Sequence, residues 1–183
     1  MKRRLKLKIK DILLTDLCED ARRFVEDIQK EPDRGVPLVA VAFLDDVLYK
    51  LLEAYFIDNS KIVSHMLGDP GALCNFAIRA ELAYCLGLLP QQTYNDIKLI
   101  RKIRNQFGHS HHPVSFENDE IASLCKKLYF ANLTLQSSPV KVSARDRFEI
   151  TAIMIINTIL LRALSTKHAE IPKDYKISQI IKV

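Results

Sequence analysis

Glycine and proline are scarce, at 5 and 7 of 183 residues. That scarcity disfavours a fold made of many tight turns and favours long uninterrupted helices. Cysteine is sparse as well: Cys18, Cys74, Cys85 and Cys125 form no CxxC pair and no dense framework, which argues against a disulfide scaffold. Cys74 and Cys85 are spaced by about three helical turns, so both are expected on one buried stripe. All four read as reduced core thiols, as suits a cytosolic protein. Nor is there a long apolar run. The first ten residues alternate charge with Leu and Ile, unlike a secretory leader. The one membrane-like stretch, 148–164, falls short of the roughly 20 residues that span a bilayer and contains Glu149, Thr151, Asn157 and Arg162. A cytoplasmic protein without a membrane segment is expected.

What is present is an ordinary globular composition, 48% hydrophobic and 27% charged. The length suffices for one domain with a sizeable core and hardly for two. The formal net charge is +5, and its placement says more than its size. Lys2, Arg3, Arg4, Lys6, Lys8 and Lys10 crowd a basic segment at 1–10, and Lys98, Arg101, Lys102 and Arg104 crowd one helix. Such clusters suit phosphates, with an affinity that falls as salt rises.

Hydrophobic periodicity predicts helices throughout. Leu14, Leu17, Cys18, Ala21, Phe24, Val25 and Ile28 recur at three- and four-residue steps from 11 to about 30. After the turn Pro32-Asp33-Arg34-Gly35, the stretch 38–57 is apolar on most faces, with Pro37 in its first turn. Ser60 is placed to cap a short helix ending at Leu67, and Gly68-Asp69-Pro70-Gly71 is a strong break. A helix over 72–86 follows, then the connection from Gly87 to Pro90. A basic amphipathic helix over 91–108 buries Tyr94, Ile97, Ile100, Ile103 and Phe107, with Gly108 as its stop. One more short helix is expected from 116 to about 130, a loop at 137–141, and a long apolar helix from Ser143 or Ala144 to Ser165. The tail, 175–183, is ambiguous. The sum is an all-α, single-domain helical bundle over 1–183.

The segment Arg104-Asn105-Gln106-Phe107-Gly108-His109 carries the chemistry worth weighing. A histidine near its normal pKa moves protons at neutral pH, and a forked, permanently charged guanidinium holds a phosphate. Ribose supplies its own 2′-hydroxyl nucleophile, so this pair needs no metal or other cofactor to cleave RNA. His109 is then the general acid/base, Arg104 the phosphate ligand and Asn105 the positioning residue, with Lys98, Arg101 and Lys102 attracting the RNA backbone. Five positions apart on an ideal helix, Arg104 and His109 point about 140° from each other. They converge only if the helix ends at Gly108 and the chain turns back, or if a second subunit completes the site. His111 and His112 extend the histidine cluster, but no recognised ligand spacing links them to Cys125 or Asp119, so no metal site is expected. A helix-turn-helix reading of 83–103 offers Gln91, Gln92 and Asn95 as base readers. It requires Tyr94, Ile97, Ile100 and Ile103 to remain buried, and short turns of this kind more often join core helices.

Two resemblances arise from these residues. The blocks Gly71-Ala72-Leu73-Cys74-Asn75-Phe76, Arg79-Ala80-Glu81-Leu82-Ala83-Tyr84-Cys85-Leu86-Gly87-Leu88-Leu89, Tyr94-Asn95-Asp96-Ile97, Arg104 to His109 and Val114-Ser115-Phe116 resemble the mannitol operon repressor (MltR) family over about 37–130. That resemblance implies an all-helical transcriptional regulator without a clear DNA-reading motif. Separately, Arg104-Asn105-x-x-x-His109 is similar to the core motif of the HEPN superfamily. It implies a dimeric, metal-independent RNA endonuclease of the toxin–antitoxin or phage-defence kind, with Arg104 and His109 catalytic and Asn105 supportive. The expectation adopted is a HEPN-like ribonuclease on an MltR-like scaffold, a homodimer with RNA as substrate and an antitoxin or transcription-factor partner. The alternative is a non-enzymatic co-repressor acting through protein–protein contacts.

Overall fold

The computed structural model describes residues 18–109, 113–135 and 142–173. The basic segment 1–10, the expected helix start at 11, His111, His112, the loop at 137–141 and the tail at 175–183 lie outside the described residues. Within them the chain is all-helical: α1 (Glu19–Ile28), α2 (Gly35–Tyr55), α3 (Ser60–Leu67), α4 (Phe76–Cys85), α5 (Gln91–His109), α6 (Asp119–Cys125), α7 (Tyr129–Leu135) and α8 (Ala144–Ser165).

The two longest helices, α2 and α8, pack along each other and form the axis of the bundle. Each is apolar around much of its circumference, so each must be covered on several sides. On α2, Val36, Ala40, Leu44, Val47, Leu48, Leu51 and Leu52 are buried. On α8 the buried set runs from Phe148 to Leu160 and includes Glu149, Thr151 and Asn157. Ser143 starts α8 with a capping box, exchanging bonds with Asp146. At 22 residues α8 is longer than the expected apolar stretch, and by length and composition it could cross a bilayer. Here it serves instead as the central helix of the core.

Charged side chains fasten the turns to this axis. Arg145 of α8 donates to the Glu31 carbonyl at 2.8 Å, to Asp33 at 2.9 Å and to Glu149 at 2.7 Å, pinning the α1–α2 turn. Asp33 also accepts the Phe116 N–H at 3.2 Å. Burial pushes the Glu149 carboxyl above its ordinary range, while the Arg145 guanidinium pulls it down. Arg79 of α4 is buried at 7% exposure. It donates to the Leu67 and Leu73 carbonyls and to Asp45 and lies 5.4 Å over the Tyr49 ring. That arginine holds the loop between α3 and α4 against α2.

Several expected boundaries shift, each for a local reason. Asn59, not Ser60, caps α3, its Oδ1 accepting from the Ile62 N–H at 3.2 Å. The next helix begins at Phe76, not at 72. Gly71 sits against the carbonyls of His65, Met66 and Gly68 where a Cβ has no room, Leu73 N–H returns to the Met66 carbonyl, and Asn75 supplies the cap. Cys74 therefore lies in the loop and is exposed, as is Cys85 at the helix end. The expected shared buried stripe does not form. Only Cys125 is fully buried, and Cys18 is half-buried. The single helix expected over 116–130 is two, α6 and α7, because the Asp96 carboxylate of α5 accepts the N–H groups of Tyr129 at 2.9 Å and Phe130 at 3.0 Å and so caps a new start.

Burial pushes the Cys125 thiol up to about 12, so little reactive thiolate forms there. Native protein treated with iodoacetamide at pH 8 is expected to be alkylated at Cys74 and Cys85 and spared at Cys125 until denaturant is added, as peptide mass mapping will show. Asp96 is held above its ordinary value of 3.8, burial outweighing the two N–H bonds that lower it. The stability this raised pKa confers is complete below 3.8, the unfolded value, and is lost as pH rises through the folded value. Asp96→Asn, which keeps an acceptor but no charge, is expected to flatten that part of the pH–stability curve. Asp96→Ala strips the cap and is expected to cost about 1–2 kcal/mol in urea unfolding.

Candidate functional site

α5 packs against α2, α4, α6, α7 and α8. Its inward side is set by Thr93, Asp96, Ile97, Ile100, Ile103 and Phe107, all buried at three- and four-residue steps. Phe107 lies 5.0 Å from Phe116, which lies 5.5 Å from Phe148 of α8. This aromatic ladder anchors the carboxyl end of α5. With that side fixed, the remaining positions must face outward. Lys98, Arg101, Lys102, Asn105, Gln106 and His109 line an open groove of about 590 Å³.

Towards the amino end of α5, an aromatic pair lies beside Lys98. The Tyr84 and Tyr94 rings stack at 4.6 Å and 9°, and Lys98 Nζ stands 5.2 Å over the Tyr94 ring. The Tyr84 hydroxyl bonds the Gln91 side chain, and Gln91 Nε2 donates to Asn95 Oδ1 at 3.1 Å. The polar groups that a DNA-reading helix must present at its start are thus partly engaged within the fold, which counts against the helix-turn-helix reading.

Of the sequence-predicted residues, Lys98, Arg101, Lys102, Asn105 and His109 are brought together on this face. Arg104 is not. The helix runs on through His109 instead of ending at Gly108. The positive φ that a glycine stop uses occurs at Gly87 alone among the described residues, at 71°. Within one chain, Arg104 and His109 therefore keep the angular separation of an unbroken helix, about 140°. Arg104 turns to its neighbour, Nη1 donating to Asn105 Oδ1 at 3.2 Å, and its Nε is buried without a partner. Gln106, which lines the groove with its Oε1 buried and unpartnered, was not singled out from the sequence; its place four residues after Lys102 was the available signal. The Tyr84–Tyr94 platform was likewise missed, because Tyr94 reads as one more buried apolar position. Among the described residues no group of three His, Cys, Asp or Glu side chains is placed to hold a metal ion.

The fold and this face together define a helical bundle that displays a basic, aromatic-edged helix surface. The chain belongs to the mannitol repressor (MtlR) family, whose profile matches residues 23–164, a span wider than the blocks legible by eye. The mannitol operon repressor of Escherichia coli K12 is 27% identical over 92 residues, covering 48% of this chain and 47% of that protein, and the E. coli O6:H1 protein matches equally. The match thus spans about half the length of these curated relatives. Among solved structures, the MtlR–HPr complex of E. coli superposes with a TM-score of 0.67 at 19% identity, over 78% of this chain and 99% of that one. The crystal structure of a possible transcriptional regulator, YggD, of Shigella flexneri gives 0.61 at 16% identity, over 78% and 96%. At such identities the structural likeness speaks for the fold.

These findings overturn the endonuclease expectation. The family is one of repressors, and the structural neighbours are a repressor complex and a regulator, not ribonucleases. The toxin and phage-defence roles fall with it, as does RNA as substrate. The physical reason is visible in α5: the turn at Gly108 that was to bring imidazole and guanidinium together within one chain does not form.

Lys98, Arg101 and Lys102 are exposed and no ion pair to any of them occurs among the described residues. The combined substitution Lys98→Glu, Arg101→Glu and Lys102→Glu is therefore expected to preserve the helical circular-dichroism spectrum and to cost no more than about 0.5 kcal/mol at Arg101 and Lys102, and about 1 kcal/mol at Lys98, which loses its contact with the Tyr94 ring, in thermal unfolding.

Proposed function

We propose that this chain is a non-enzymatic, cytoplasmic transcriptional regulator of the repressor type, acting through protein–protein contacts instead of reading DNA itself. The observation that carries the reading is the match of the mannitol repressor profile across 23–164. Two features agree with it. The E. coli neighbour was crystallised as a complex with another protein, HPr, and a protein of the HPr type is the partner proposed for this chain. In addition, the one open groove described above is a mixed basic, amide and aromatic helix face, the kind of surface that docks a folded partner.

Deleting the gene is expected to derepress a defined operon, and supplying the chain in trans is expected to restore repression. Purified chain mixed with purified HPr is expected to elute as a stable complex in size-exclusion chromatography with light scattering, which also reports whether the chain pairs with itself. Unchanged transcription on deletion, together with no complex, contradicts the reading.

A further inference from the structure

We infer that the outward face of α5, from Tyr94 to His109, is the docking surface, and that its occupant is an acidic segment of a partner protein. The inference deepens the regulator reading and rests on it.

Three observations converge. First, charge on α5 is segregated by sign. Lys98, Arg101, Lys102 and Arg104 are four cations within seven positions, and the only acid on the helix, Asp96, is turned inward and engaged by the Tyr129 and Phe130 N–H groups. Elsewhere in the fold, Arg23, Lys30, Lys50, Arg79 and Arg145 each meet a carboxylate, while Lys61, Lys126 and Lys127 do not, so it is the clustering on one helix face that sets the α5 cations apart. Among the described residues, no such pair occurs for the α5 cations. Second, the surface is built as well as charged. Lys98, which lines the groove, stands over the Tyr94 ring of the Tyr84–Tyr94 stack, and the amides of Asn105 and Gln106 line the groove beside the cations. A polypeptide supplies carboxylates for the cations and backbone groups for the side-chain amides that line the groove. Third, the strip is long enough for specificity. Tyr94 to His109 spans about 22 Å at the helical rise, the length of some six or seven extended residues.

The same features argue against other occupants. A second copy related by a twofold axis through this face sets Lys98, Arg101 and Lys102 against their own copies, a like-charge arrangement that interfaces avoid. Nucleic acid also offers anions to the cations, but the Gln91 amide that a base-reading helix presents at its start is already bonded to Tyr84 and Asn95.

The test titrates full-length chain and its Lys98→Glu/Arg101→Glu/Lys102→Glu variant against three fluorescein-labelled probes: a 14-residue glutamate-rich peptide containing tyrosine, a 14-nucleotide RNA and a 14-base-pair DNA duplex. Anisotropy is read at low and physiological salt, with purified HPr titrated in parallel. The expected result is peptide binding that weakens with salt and about tenfold or more in the variant, exceeding binding of either nucleic acid. HPr binding lost in the variant also supports the surface. HPr binding equally to both proteins, with no peptide binding, overturns the α5 assignment and leaves the regulator reading standing. Peptide binding without HPr binding supports the surface and removes HPr as its occupant. Tighter binding of RNA or DNA than peptide, or no binding by any probe or HPr, overturns the inference. As a control on folding, the variant is expected to match the wild-type chain in circular-dichroism spectrum and, apart from the small cost of the three substitutions, in thermal midpoint.

Discussion

The rotational setting of α5 about its own axis is the constraint on which the candidate site depends. Ile97, Ile100, Ile103 and Phe107 bury one side of the helix, and Asp96, on that same side, reaches the first N–H groups of α7. A turned-out Asp96 leaves those N–H groups without their cap, and a turned-out Phe107 breaks the contacts with Phe116 that lead on to Phe148. Polar capping and apolar packing therefore demand the same orientation. Lys98, Arg101, Lys102, Asn105 and His109 face outward as a geometric consequence.

The remaining ionic contacts follow a similar logic. Arg79 and Arg145 each gather carbonyl oxygens and carboxylates from segments far apart in sequence and secure a turn to the α2–α8 axis. Their partners satisfy most of the guanidinium donors, which is the condition under which an arginine is tolerated at low exposure. The pattern separates two kinds of basic residue. Arg79 and Arg145, which organise the fold, are buried or half-buried and paired, whereas Lys98, Arg101 and Lys102 on the outer face of α5 form no ion pair among the described residues, Lys98 meeting only the Tyr94 ring.

Helix identities were legible where local pattern sufficed. The three- and four-residue apolar steps of α1 and α5, the all-round apolar stretch of α2 and the Ser143 start of α8 all follow from rules acting within a few residues. What was not legible depends on distant contacts. Nothing near 126–128 announces a break between α6 and α7, because the acceptor that creates it, Asp96, lies 33 and 34 residues away. The cysteine stripe failed because Gly71 packs against three carbonyls and delays α4 past Cys74. At the site, the basic face itself was readable from spacing. The catalytic meaning given to Arg104 and His109 was not supported, since a short motif fixes residue types but not whether the helix stops between them. The family blocks, spread over many residues, were the better guide.

Lys98, Arg101, Lys102 and His109 on the outer face of α5 are exposed, and the proposed role of that face is to meet a protein. Amide chemical-shift mapping of the isotopically labelled chain during titration with purified HPr tests this most directly. The largest perturbations are expected at Lys98, Arg101, Lys102, Asn105 and Gln106, extending to Tyr84 and Tyr94. Perturbations confined to α1, α3 or the exposed end of α8, with α5 unmoved, contradict that role.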